Sequence, residues 1–393
     1  MVLDRAELER RRARFIQRMN GEFPGWDTAI LLHKVNQYYF LGTMQDGILL
    51  IHPDDSYSYH VRRGVERALA ESPLEAIYPM DTYRDAAERV GKDLGKVYLD
   101  MEMAPYGMVE RLKRAFQMES LGSLDRAVLD ARAVKSAYEL YWMMEAGKAH
   151  AALMERVPSF LVEGMTEAEL VGKLFDTMMH LGYQGITRFR SFGTEIVMGQ
   201  FGFGESSLIP SSFDGPAGHR GMGPAVPLAG SRDRRLQKGD LVFVDCGFGM
   251  KGYHTDKTQV FSYGEKPEGA LLEAHQCCME LEENIAKRLV PGAIPQKIYE
   301  DMMAKVPREY ERDFMGFDGR TVKFLGHGIG LFVDEMPVIA KGFDAPLEKG
   351  TTLALEPKIG MRGRGMVGVE ETHVVSDEGG KCITGGGREI LVV

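Results

Sequence analysis

A chain of 393 residues is long enough for one large core or two smaller ones, and its apolar and charged fractions, 44% and 27%, are those of an ordinary globular protein. With 48 basic against 57 acidic residues the formal charge is -9, which argues against nucleic acid or an anionic membrane surface as the main partner. No apolar run reaches the ~18 residues a membrane span requires. The opening stretch MVLDRAELERRRARF is too charged for a secretory signal. Cys246, Cys277, Cys278 and Cys382 have neither metal-binding nor disulfide spacing, which is the expectation for a reducing cytoplasm.

In chain order, residues 3–20 have the spacing of a charged amphipathic helix with Leu8, Phe15, Ile16 and Met19 on its buried side. Strand-like segments follow at Thr28–Leu32, Gly47–Ile51, Tyr57–His60 and Lys96–Leu99, with helical stretches at Gly64–Ala70, Tyr83–Leu94 and Pro105–Ala115 between them. This alternation predicts a small α/β domain with a mixed sheet over residues 1–131. A long helix is expected from about Arg132, leading into a second domain over 132–393. Thr166 with Glu169 reads as a capping box opening another helix that runs to about His180.

The second domain is expected to be α+β. Its strands are placed at Ser191–Met198, Leu241–Asp245, Asp256–Phe261, Lys323–Leu325, Thr351–Pro357 and Val367–Val375, with helices at Glu268–Leu289 and Pro295–Lys305. The glycine-rich stretch Gly199–Gly230 lacks periodicity, and a loop of that length usually covers a site or is disordered.

Within this domain Asp245 ends a strand and Asp256 begins another eleven positions later, so a hairpin can aim both carboxylates at one centre. His327 stands between glycines in Leu325–Gly330, Glu356 ends the apolar run Leu353-Ala354-Leu355 before Pro357, and Glu370 and Glu371 alternate so that one of them must face inward. Each alone has an ordinary structural explanation: a turn, a hydrogen-bonded histidine, an ion pair. Together, four carboxylates and an imidazole form a ligand set for two divalent ions of the Mn, Co, Fe or Zn kind. Such a pair makes a water nucleophilic near neutral pH.

The order Asp245, Asp256, GHGIG at 326–330, EP at 356–357 and EE-T at 370–372 resembles metallopeptidase family M24, the pita-bread group that contains methionine aminopeptidase, aminopeptidase P, proline dipeptidase and creatinase. YYFLG at 38–42 is similar to a phrase of the creatinase-like N-terminal domain, and 132–148 to the helix that leads into the catalytic domain. The resemblance implies a C-terminal pita-bread catalytic domain behind a smaller creatinase-like one. It implies Asp245 on one ion, Asp256 and Glu370 bridging, and His327 with Glu356 completing the other, Glu356 also managing the proton of the attacking water. A homodimer is implied as well, with the small domain filtering substrate size at the partner's site.

The outer residues depart from the pattern. Leu228 stands where a histidine is usual, Asp334 where a second histidine is usual, and Gly368 where an arginine is usual. Leucine cannot donate a hydrogen bond, and an aspartate reverses the charge of a histidine donor. His219 or Arg220, in the glycine-rich stretch, are candidates to replace the lost donors, and Tyr253 and His254 lie beside Asp256 in sequence. The expectation is a dinuclear metal hydrolase acting on Xaa-Pro bonds of small peptides. The alternatives are a hydrolase or lyase of a small metabolite on the same fold, or a binding protein without turnover.

Overall fold

The computed structural model describes all residues, Met1–Val393, and divides into two compact units, Met1–Arg132 and Ala133–Val393.

The first unit opens with α1 (Arg5–Glu22), capped by Asp4, whose carboxylate accepts the Glu7 backbone N–H at 2.8 Å. The chain then runs β1 (Thr28–Leu31), α2 (Lys34–Leu41), β2 (Asp46–Ile51), β3 (Tyr57–Arg63), α3 (Val65–Glu71), β4 (Ile77–Pro79) and α4 (Tyr83–Val90). It continues through β5 (Lys96–Leu99), α5 (Tyr106–Ala115), β6 (Ser120–Ser123) and α6 (Asp125–Ala133). The strands form a mixed sheet ordered β4-β3-β2-β1-β5-β6, with β1 antiparallel to β2 and parallel to β5. Helix α2 takes in most of the YYFLG segment. It carried no helical signal because Val35, Asn36, Gln37, Tyr39, Phe40 and Leu41 are buried around most of its circumference, which erases a single apolar stripe. Its buried Gln37 is satisfied by donating to the carbonyls of Leu31, Leu32 and Gly47.

The second unit begins with α7 (Ala137–Arg156). The helix expected to run on from Arg132 is instead two helices, because Ser136 accepts the Glu139 N–H while Glu139 reaches back to the Ser136 N–H, a reciprocal cap that starts a new helix. The box at Thr166 and Glu169 opens α8 (Glu167–His180) as expected. The expected strand over 191–198 is absent. Pairing starts only at β7 (Gly199–Phe203), where the Gly199 backbone lies so close to β8 (Leu241–Met250) that a Cβ would sit 2.0 Å from the Asp245 carbonyl. β8 and β9 (Tyr253–Ser262) form a long hairpin closed by Lys251 and Gly252, both at positive φ, so the turn between the two aspartates is shorter than expected and the ladder longer.

After α9 (Ala270–Ala286) and α10 (Pro295–Met303) come the short β10 (Gly316–Phe317) and β11 (Arg320–Thr321), then β12 (Phe324–Gly328), β13 (Glu335–Ala340) and β14 (Thr352–Leu355). The hairpin β15 (Lys358–Met361)–β16 (Gly365–Gly368), β17 (Glu371–Ser376), β18 (Gly379–Cys382) and β19 (Leu391–Val392) complete the unit. Two larger sheets result, β13-β12-β14-β17-β18 and β19-β9-β8-β7, beside the two-stranded β10-β11 and β15-β16. α9 and α10 pack on the first through Leu271, Cys278, Leu281, Ile298, Leu353 and Leu355. α7 and α8 pack on the second through Leu153, Leu170, Leu174, Val242, Val244 and Phe248. The strand expected over 367–375 is broken at Val369 and Glu370, following a Gly368 φ of 137° that takes the chain out of the ladder. The break carries Glu370 to Thr258 of β9, with which it makes an isolated bridge between the sheets.

Candidate metal centre

The β8–β9 register sets Asp245 opposite Thr258 and Gly247 opposite Asp256. Asp245 and Asp256 are therefore two positions out of step on one face of the hairpin. His327 lies in β12 beside Ala354, Glu356 follows the last residue of β14, and Glu370 sits in the break before β17. These five expected ligands line one cleft of about 500 Å³, and none of the carboxylates is more than 8% exposed. Apolar walls come from Phe189, Ile196, Met198, Phe213, Val333 and Phe343, so part of the glycine-rich stretch does border the site, through Phe213, Asp214 and Gly215.

His327 Nε2 stands 3.3 Å from Glu356 Oε1 and 3.8 Å from Glu370 Oε1, while its Nδ1 faces the Gly328 carbonyl at 3.0 Å. Asp256, His327 and Glu370 each offer a ligand atom, and the three atoms lie within 4.8 Å of one another. This is a workable set for a single divalent ion of borderline hardness.

The residue that sequence reasoning missed is Lys358. Its fully buried ammonium donates to Glu370 Oε2 at 2.7 Å, Glu356 Oε2 at 2.9 Å and Asp245 Oδ2 at 3.1 Å. The signal was available: Lys358 is two positions beyond Glu356, and strand-like alternation brings such residues to one side. Three of the five expected ligands thus already share a cation that belongs to the chain. Thr258, likewise unforeseen, donates its hydroxyl to Glu370 Oε2 at 3.1 Å.

The electrostatics follow from this crowding. Burial and the neighbouring Asp245 raise the Asp256 carboxyl to about 7. Burial pulls the His327 imidazole down, but Glu356 and Asp256 outweigh it and lift the group to about 9. Burial works against the Glu356 carboxylate, yet Lys358 and His327 hold it at about 2. Burial also opposes the Lys358 charge, and Asp245, Glu356 and Glu370 reverse that, keeping the ammonium protonated.

The remaining candidates are placed as follows. Asp334 lines the cleft, and its two oxygens accept the backbone N–H groups of Arg190 and Ser191, so it pins the 190–191 segment. His219 is not among the cleft residues. It is buried with both ring nitrogens unpartnered, and burial holds its imidazole at about 4. Arg220 is exposed and borders a separate cavity with Arg234, Arg320 and Arg364. Leu228 is half-buried away from the cleft lining, and Tyr253 is fully buried edge-on against Tyr138. His254 is buried between the Gly330 carbonyl and Gln184, and His373 pairs with Glu282 at 3.1 Å. Neither borders the cleft.

Residues 11–134 match the creatinase/prolidase N-terminal domain, and residues 142–377 match metallopeptidase family M24. The chain is 25% identical over 370 residues to the Xaa-Pro dipeptidase of Pyrococcus furiosus, covering 93% of this chain and 95% of that one. The prolidase structure from Pyrococcus horikoshii superposes with a TM-score of 0.79 at 21% identity, over 97% of this chain and 99% of that one. The Xaa-Pro dipeptidase of Bacillus anthracis gives 0.79 at 23% identity, over 99% of both chains. The order of the acidic residues and His327, their convergence in one cleft and these matches agree: the chain belongs to metallopeptidase family M24, with an atypical and incomplete ligand cluster.

Proposed function

We propose that the chain is a metal-dependent hydrolase of small substrates, with short peptides carrying an Xaa-Pro bond as the class to test first. The observation that carries this reading is the convergence of Asp256, His327 and Glu370 donor atoms within 4.8 Å in a cleft of about 500 Å³. A divalent ion bound there would supply Lewis acidity and an acidified water. The chain's own residues do the rest. Glu356, whose Oε1 stands 3.3 Å from His327 Nε2 in the cleft, is the carboxylate assigned to accept a proton from the nucleophile and return it to the leaving amine. The aromatic wall of Phe189 and Phe213, whose rings meet at 5.5 Å, offers an apolar seat for a proline ring. The relatives named as Xaa-Pro dipeptidases support this substrate class.

A second reading is favoured by one specific observation. Lys358 takes three carboxylates, and Leu228 and Asp334 supply no free donor at the cleft, so a hydrolase or lyase of a small non-peptide metabolite also suits the site. Turnover of Xaa-Pro dipeptides and longer Xaa-Pro peptides with Mn, Co or Zn supplied separates the two. Hydrolysis that disappears in Glu356→Gln supports the peptidase reading, and flat traces from metal-loaded protein overturn it. A homodimer is proposed alongside, checked by light scattering of the eluting protein. No helix is long and apolar enough to cross a membrane.

A further inference from the structure

We infer that Lys358 is a built-in cation that stands in for one of the two ions, so that the chain binds a single divalent ion at Asp256, His327 and Glu370. This rests on the reading of the cleft as a metal centre and deepens it. The ammonium has three N–H donors, and all three are spent on one oxygen each of Asp245, Glu356 and Glu370. A divalent ion held by the same oxygens would lie against the ammonium, and like charges at that separation repel strongly in a buried setting. The group has no exposed surface through which to withdraw.

The stem is locked as firmly as the head. Lys358 pairs with Gly368 across the β15–β16 hairpin. A Cβ at Gly368 would come within 2.6 Å of Lys358 Cα, 2.9 Å of its Cγ and 2.4 Å of the Pro357 carbonyl. The lysine can follow this path only because residue 368 has no side chain. Lys358 and the bare Gly368 thus depend on one another in space, although they are ten positions apart in the chain.

Glu370 divides its two oxygens. Oε2 takes the ammonium and the Thr258 hydroxyl, and Oε1 faces His327 Nε2. That leaves Oε1 for an ion shared with His327 and Asp256, and Glu370 bridges a lysine and an ion where it was expected to bridge two ions.

The test counts metal independently of activity. The full chain is stripped with chelator, loaded with Mn(II), desalted, and measured by native mass spectrometry and by electron paramagnetic resonance. One Mn(II) per chain with an uncoupled six-line spectrum is expected, together with two Mn(II) and an exchange-coupled spectrum in Lys358→Ala. Two ions in the unaltered chain would overturn the inference and leave the metallohydrolase reading intact. No ion in the unaltered chain would overturn both. A folded Lys358→Ala protein that still takes one ion would overturn the inference. If that variant does not fold, the spectrum of the unaltered chain decides alone.

Discussion

Glu370 and Glu371 are neighbours in sequence, both are buried, and each meets a buried lysine, yet they belong to two different kinds of place. Glu371 turns behind the sheet to Lys257, and its other oxygen accepts from the Thr384 hydroxyl and the Cys382 thiol. One acid meets one base there, and neither residue borders the cleft. Glu370 turns the other way, to Lys358, in company with three more carboxylates and His327, and it lines the cleft of about 500 Å³. The difference teaches that a buried ion pair is not itself a functional signal. Acid in excess of the chain's own cations, open to a cavity, is.

The largest effects should come from removing each lysine. Lys257→Met and Lys358→Met each leave buried carboxylates uncompensated and should cost about 3–5 kcal/mol in urea unfolding of the metal-free protein. Added Mn(II) should restore much of the loss in the Lys358 variant, which gains room for a second ion, and should stabilise the Lys257 variant no more than the unaltered chain. Equal response to metal would erase the distinction between the two sides.

Activity is the next lever. Glu356→Gln and His327→Ala should reduce turnover of whichever substrate is found by about 10²-fold or more. Glu371→Gln should affect turnover only through the amount of folded protein, so kcat per folded molecule separates the two sides.

Acid should sharpen the comparison further. On the sealed side, burial holds the His373 imidazole at about 4, and behind the β8–β9 hairpin it holds His150 at about 3. Both lie below the ordinary imidazole value, so the unfolded chain binds more protons. Their stabilising contribution is complete above about pH 6.5 and is lost as pH falls toward 4 and 3. Melting temperatures from pH 7 down to pH 4 should fall, and fall less steeply in His150→Gln. A profile flat over that range would contradict the burial of neutral imidazoles.

The smallest effects belong to the two threonines. Thr384→Val removes a hydrogen bond to a carboxylate and the acceptor of the Thr372 N–H, and should cost about 1.5–3 kcal/mol with no change in metal affinity. Thr258→Val should shift Mn(II) affinity measured by calorimetry while costing less stability, because Glu370 keeps Lys358. The reverse pattern would mean that the cleft carboxylate depends on its hydroxyl more than on its ammonium.

How far the site was legible can be argued residue by residue. Asp245 and Asp256 were readable because strand alternation in an antiparallel hairpin puts them on one face for any even-numbered turn, such as the two-residue one found here. The turn itself was misjudged, since Lys251 and Gly252 close it in two residues. The caps at Asp4 and Thr166 depend on residues three positions apart, and Thr166 was read directly. Helix α2, the displaced β7 and the break at Glu370 were not read, because each depends on how the backbone meets a partner remote in sequence.

The sequence by itself determined the order of the acidic residues and His327, the alternation that turns Glu370 and Glu371 apart, and membership of a family. These are matters of local spacing and motif. Only the tertiary structure decided which cation answers which carboxylate. The ammonium of Lys358 reaches Asp245 across 113 positions, and Lys257 reaches Glu371 across 114. Charge compensation is a sum over everything within a few ångströms, and no pattern along the chain contains that distance.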